Sequence, residues 1–191
     1  MKKLILTLFC SLLPPFYAHA LDINVLAGVD TNKNFSVGAE GVVGKNYLLG
    51  FQANIGSADT YETGSITHSS INNAKYSLDR NNSIYSIYVG YKFTDSLLNG
   101  LSLKAGASQM TVDMKGDVYG TTNGQNSSDT LYDVSESKTL PFIGIGYQIN
   151  DRLSVNVHSS LGSIETVDIN GKSVDTDYNN YTTSILLGFT F

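Results

Sequence analysis

The chain of 191 residues has no tryptophan, only three prolines and a single cysteine, Cys10. One thiol cannot form an internal bridge, so a disulfide framework is excluded. Beyond residue 20 no run of about 18 apolar residues occurs, which excludes a membrane-spanning helix but leaves spanning strands open. Positive charge is scarce too: 12 Lys and Arg face 17 Asp and Glu, a formal net charge of −5. That balance offers nothing to nucleic acid.

What is present begins with "MKKLILTLFCSLLPPFYAHA", which carries Lys2 and Lys3, an apolar run from Leu4 to Leu13, and the small-x-small exit Ala18-His19-Ala20. This order predicts a secretory signal peptide over residues 1–20, cleaved after Ala20. Cys10 leaves with it, and the bulky Phe9 before it argues against a lipid anchor. Residues 21–191 then predict one domain, with a formal charge near −7 once both lysines are removed.

After residue 20 helix signals are scarce, and apolar residues recur with period two. Eight alternating runs stand out: Asp22 to Val29, Phe35 to Val43, Asn46 to Gly56, Ile84 to Phe93, Leu101 to Val112, Lys138 to Ile149, Leu153 to Gly162 and Tyr181 to Phe191. Most have the 9 to 11 residues that a tilted strand needs to cross a bilayer. The connectors then alternate in length. Runs two, four and six end in the short links "GKN", "TDSLLNG" and "ND", whereas runs three, five and seven end in polar segments over 57–83, 113–137 and 163–180. The first odd connector, "DTNKN", is short. In an up-and-down meander all even connectors lie at one end and all odd ones at the other, so the pattern predicts a trim end and an end of long loops.

The two faces of the runs differ in charge. Odd positions are apolar, as in Ile23, Val25, Ala27 and Val29 or Ile185, Leu187, Phe189 and Phe191. Even positions carry Glu40, Lys92, Lys104, His158, amides, hydroxyls and glycines. A formal charge on a lipid-facing strand position costs about 2–4 kcal/mol at the midplane, which accounts for an odd face without any. The fold predicted is therefore an all-β, eight-stranded antiparallel up-and-down transmembrane barrel with a polar lumen, short periplasmic turns and long extracellular loops. Tyr47, Tyr91, Phe93, Tyr147, Phe189 and Phe191 fall at the short-turn end and predict an aromatic girdle there; Phe35, Tyr85 and Tyr181 fall at the other. An eight-stranded lumen is only wide enough for side chains, so Glu40 is expected to meet one or both of Lys92 and Lys104 and plug it. Pro141 lacks a ladder donor and is expected near the outer rim or at a bulge.

Signal peptide, eight alternating strands, short even turns and the closing "YTTSILLGFTF" resemble the small Gram-negative outer-membrane barrels of the OmpA/OmpX-like, porin-family type. The resemblance implies a cell outer-membrane location with outer-membrane lipid around the barrel. It also implies an assembly signal at Phe189 and Phe191, read by the barrel-assembly machinery. The glycine usual a few residues earlier would fall at Leu186, and the chain has Gly188 instead. Some such barrels modify lipid A, and His158 with Ser160 resembles part of a deacylase triad. Strand eight, however, has no carboxylate to orient the histidine. Asp168, Asp175 and Asp177 lack the spacing of a calcium loop, and His68 stands alone. No cofactor, metal or catalytic residue is expected. The function implied is a non-catalytic barrel displaying polar loops for surface interaction, adhesion or colonisation, or envelope integrity, with a host-surface protein or glycan as partner. A narrow solute conduit and a lipid A-modifying enzyme are the alternatives.

Overall fold

A computed structural model describes residues 22–94, 97–178 and 180–191. The expected signal peptide, with Ala18 and Ala20, lies outside the described residues. The strands are β1 (Ile23–Asp30), β2 (Phe35–Val43), β3 (Tyr47–Ile55), β4 (Asp59–Ser65), β5 (Asn72–Lys92), β6 (Leu101–Thr122), β7 (Gln125–Gln148), β8 (Leu153–Leu161), β9 (Thr166–Ile169), β10 (Lys172–Asp175) and β11 (Tyr181–Thr190). Eight of them, all but β4, β9 and β10, form a closed antiparallel ring. The closing ladder runs from Asn24↔Thr190 to Asp30↔Ser184, and the Phe191 amide donates to the Ile23 carbonyl at 3.0 Å. Every ring strand has two neighbours, so no backbone edge is left within the ring.

The odd face points outward. Leu49, Ile87, Ile185 and Phe189 are each more than half exposed, while the even-numbered Leu26, Ser36, His158 and Leu186 are fully buried. This is the reverse of a water-soluble barrel. The apolar belt spans β2 from Phe35 to Val43; eight steps of about 3.3 Å tilted by about 40° give a height of roughly 20 Å.

Glycine on the even face serves close approach. A Cβ at Gly106 would stand 2.0 Å from the Ile87 carbonyl oxygen, and at Gly28 1.9 Å from that of Ile185. Neither neighbour can move, because both are ladder backbone.

Above the belt the structure departs from the expected long loops. Residues 57–83 and 113–137 are largely strand, and 163–180 holds the short hairpin of β9 and β10. β5, β6 and β7 continue upward without a break, and β4 pairs with upper β5 beyond the end of β3. The result is a four-stranded wall, β4-β5-β6-β7, rising over one side of the ring, while β11, β1, β2 and β3 stop at the rim. β6 turns into β7 through Asn123-Gly124, both left-handed at φ 52° and 76°, the conformation a tight two-residue hairpin needs and this dipeptide favours. Asn170-Gly171, at φ 55° and 81°, makes the same turn between β9 and β10.

The wall has a core of its own. Val112, Met114 and Val118 on β6 face inward and are buried, continuing the even-numbered stripe beneath a polar composition. Ile164 and Val167 from the β9–β10 segment pack onto Ile84, Met110, Val112, Met114 and Leu140, closing the mouth of the ring. The interior is thus polar at mid-barrel and apolar at the mouth, where the sequence predicts a polar lumen throughout. Pro141 lies one residue above the last β7–β8 pair, Phe142↔Ser160, where β7 parts from β8 and no ladder donor is missed.

Candidate functional site

Two regions collect the chemically active side chains: the middle of the lumen and the wall above the mouth. In the lumen, Glu40 on β2 and Lys104 on β6 meet, Nζ to Oε2 at 2.6 Å, with side-chain exposures of 7% and 0%. The remaining capacity of both groups is filled. Asn24 donates to Glu40 Oε1 at 2.9 Å and the Tyr88 hydroxyl to Oε2 at 3.2 Å, while Lys104 also donates to Asn156 Oδ1 at 2.6 Å.

His158 extends the cluster. Its Nε2 lies 3.1 Å from Lys104 Nζ and its Nδ1 2.5 Å from Gln52 Oε1. An ammonium has only donors, so Nε2 accepts and Nδ1–H donates to the amide oxygen. The imidazole is neutral in this arrangement. Tyr88 and Phe142 stack at 5.0 Å between centroids and both meet the His158 ring edge-on, filling the bore. Tyr88 takes the volume that a side chain at Gly50 would need.

Lys92 does not join Glu40. It points towards the turn end and donates to Gln148 Oε1 at 3.2 Å. There the lumen opens into a vestibule of about 620 Å³ lined by Asp22, Lys92, Asp151 and Arg152 among others, with Glu40 at its inner wall. His158 and Ser160 do not pair: the Ser160 hydroxyl meets Ser108 Oγ at 2.7 Å. Ser160 thus has a hydroxyl and not the imidazole as its neighbour, and no base to activate it in this arrangement.

The aromatic residues of the turn end gather on the outer surface. Tyr47 pairs across the ladder with Tyr91, centroids 5.7 Å apart, and Phe93 meets Tyr91 at 5.1 Å. Tyr147, Phe189 and Phe191 are exposed at the same end.

At the wall, cations hold the β9–β10 segment at both ends. Lys138 donates to the Ser163 carbonyl at 3.0 Å; Arg80 donates to the Thr176 carbonyl at 3.0 Å and to Asp177 at 2.9 Å. The Arg80 guanidinium lies over Tyr61 at 5.3 Å and Tyr178 at 5.6 Å. Burial pushes the Tyr178 hydroxyl up to about 12, with Arg80 acting against the shift. The Tyr132 hydroxyl is raised by burial and by its contact with Tyr61 at 3.2 Å. Asp168 and Asp175 serve their own turns, accepting the Gly171 and Asp177 amides. His68 lies 3.7 Å from Asp129. The aspartates do not converge on a common point.

The wall also has a free edge, which the alternation of the eight runs did not disclose. Below Pro141, β7 has β8 on its other side; from Gln125 to Leu140 it is laddered to β6 alone. The signals for it were the Asn-Gly turn and the even-numbered Val112, Met114 and Val118.

No protein-family model matches the chain, and no curated protein does. Among solved structures it is similar to Ail, the attachment invasion locus protein of Yersinia pestis, with 10% identity over 90% of this chain and 95% of that one, TM-score 0.46. It is also similar to CarO2 of Acinetobacter baumannii, with 16% identity over 91% and 100% and a TM-score of 0.46. The N-terminal β-barrel domain of Pseudomonas aeruginosa OprF shares 10% identity over 90% and 96%, TM-score 0.43. These are small outer-membrane β-barrel proteins of the OmpA/OmpX type. At such identities the likeness is one of fold, and the ring of eight strands stands on this chain's own ladder pairings.

Proposed function

We propose that the chain is a non-catalytic, integral outer-membrane barrel in which the ring is an anchor and the four-stranded wall is the working surface. The carrying observation is the wall itself. β5 to β7 run unbroken from the apolar belt into a sheet with its own buried core and a free edge, which is a rigid scaffold for surface contact. The inverted faces support the membrane placement, with the tight turns on the periplasmic side and the wall outside. In this reading outer-membrane lipid surrounds the belt, and Tyr47, Tyr91, Phe93, Tyr147, Phe189 and Phe191 form the periplasmic girdle. Phe189 and Phe191 serve the barrel-assembly machinery, and residues 1–20 are the cleaved signal. The role is surface interaction, in adhesion, colonisation or envelope integrity, with a host-surface protein or glycan as the partner.

The filled lumen opposes the solute-conduit reading. Glu40, Lys104, His158, Tyr88 and Phe142 occupy the bore, and the apolar cap lies above them. The Ser160–Ser108 contact opposes the lipid A enzyme. The test is to replace residues 114–134 by a two-residue Asn-Gly turn and compare whole cells for binding to host-surface proteins and glycans. Loss of binding with normal barrel insertion is expected. Unchanged binding would remove the wall as the working surface.

A further inference from the structure

The vestibule at the turn end is lined by charges that do not pair with one another. Two cations, Lys92 and Arg152, and two carboxylates, Asp22 and Asp151, surround its space of about 620 Å³. Among the described residues no ion pair joins any of them. The Lys92 ammonium has only the neutral Gln148 amide, at 3.2 Å, and the side chains of Asp22, Asp151 and Arg152 have no partner there. Glu40 differs, because Lys104, Asn24 and Tyr88 already fill it. Equal numbers of both signs around one cavity suit neither a simple anion nor a simple cation, since each would meet repulsion as well as attraction. They suit a molecule that carries one charge at each end.

The rest of the lining says what lies between those ends. Val42, Leu48 and Tyr147 supply apolar wall, and Gln148 and Asn156 supply amides. Asn24 lines the same space and is only 8% exposed; its Nδ2 donates to Glu40 Oε1 and to Ser154 Oγ, and its Oδ1 has no donor. A buried acceptor in that condition is of the kind that a ligand N–H completes. An ammonium, amide N–H groups, small apolar side chains and a carboxylate, in that order, are what a short peptide presents. The volume falls within the range of about 300–1,000 Å³ that small-molecule sites occupy. Three extended residues span about 10 Å.

We propose that the turn-end vestibule binds a short zwitterionic peptide, with Asp22 and Asp151 taking its terminal ammonium and Lys92 and Arg152 its terminal carboxylate. The floor is closed by the Glu40–Lys104 pair and the Tyr88–Phe142 stack, so the peptide enters and leaves by the same opening. With the tight turns on the periplasmic side, that opening faces the periplasm. The site shares no residue with the wall, and binding there is a second role beside surface contact.

The test titrates trialanine into the purified full barrel in detergent micelles and follows the backbone amide signals by NMR. Three further probes are trialanine acetylated at its N-terminus, trialanine amidated at its C-terminus, and the peptide capped at both ends. Free trialanine is expected to shift the amides of Gly100, Ser154 and Thr190 and none along 112–122 of β6. Each single cap should weaken binding by about tenfold or more, since each removes a charge-assisted contact. Asp22→Asn with Asp151→Asn should weaken the free peptide by a similar factor and leave the acetylated one unchanged. Arg152→Gln with Lys92→Gln should weaken the free peptide likewise and leave the amidated one unchanged. All four side chains are exposed or half-buried, and heat-modifiable gel migration checks that the ring is intact. No binding at millimolar trialanine would overturn the proposal, as would equal affinity for the free and doubly capped peptides. Tighter binding of succinate or putrescine than of trialanine, or variants that weaken free and capped peptides alike, would overturn it too. These readouts need neither the wall nor a cell, so they fail or succeed separately from the whole-cell test.

Discussion

Replacing Lys104 by methionine removes the cation and keeps most of the volume. Glu40 then retains only the Asn24 amide and the Tyr88 hydroxyl. Taking one partner from a buried pair costs about 3–5 kcal/mol, because the other charge is left in a poor solvent. Glu40 lines the vestibule, where water can reach it, so the lower end applies, about 3 kcal/mol. Against a total stability of about 5–15 kcal/mol this is a large share. Glu40→Gln leaves an ammonium still held by Asn156 and His158, and its cost should be somewhat smaller. The double variant should cost less than the sum of the singles by about 2 kcal/mol, since neither charge is then stranded. Urea unfolding of the barrel in lipid vesicles, followed by heat-modifiable migration, measures all three. Single variants within about 0.5 kcal/mol of the parent, with additive effects, would refute the argument that this pair is desolvated and coupled.

In planar bilayers the parent should show no large steady conductance, and a sustained open channel would refute a filled lumen. Deleting Phe191 should lower the amount of barrel inserted in the outer membrane, measured by fractionation against the parent. Raising the pH through the usual tyrosine range should loosen the cap. Tyr178 is neutral when folded and its hydroxyl is raised to about 12, so its contribution is full below about pH 10 and lost as pH rises through 12. Phenolate absorbance and protease cutting within 163–178 report the change, and cutting that stays flat to pH 12 would refute it. Lipid A from cells with and without the gene should show the same acyl pattern by mass spectrometry, whereas a lost or added chain would restore the enzyme reading.

The ring was legible because membrane strands obey a rule that survives in single residues: no formal charge on the odd face. Glu40 and Lys104 could be set in the lumen by parity alone. Their partners could not, since Lys92 and Lys104 share a parity and only strand tilt and register decide which one reaches Glu40. The wall was obscured by composition. In segment 113–137, serine, threonine and aspartate on one face outnumber the buried Met114 and Val118 on the other, and the average reads as a solvated loop. The Asn-Gly pairs at 123–124 and 170–171 carried the missing information, because that dipeptide favours a left-handed turn between two paired strands.

The unbroken passage of β5, β6 and β7 from belt to tip bears on how the molecule responds to force. A tug on the tip away from the cell acts nearly along these strands, so the rungs of the β5–β6 and β6–β7 ladders are sheared together instead of being peeled one after another. The pull reaches the ring without crossing a flexible joint. A tether built this way would hold in a moving fluid until many rungs failed at once.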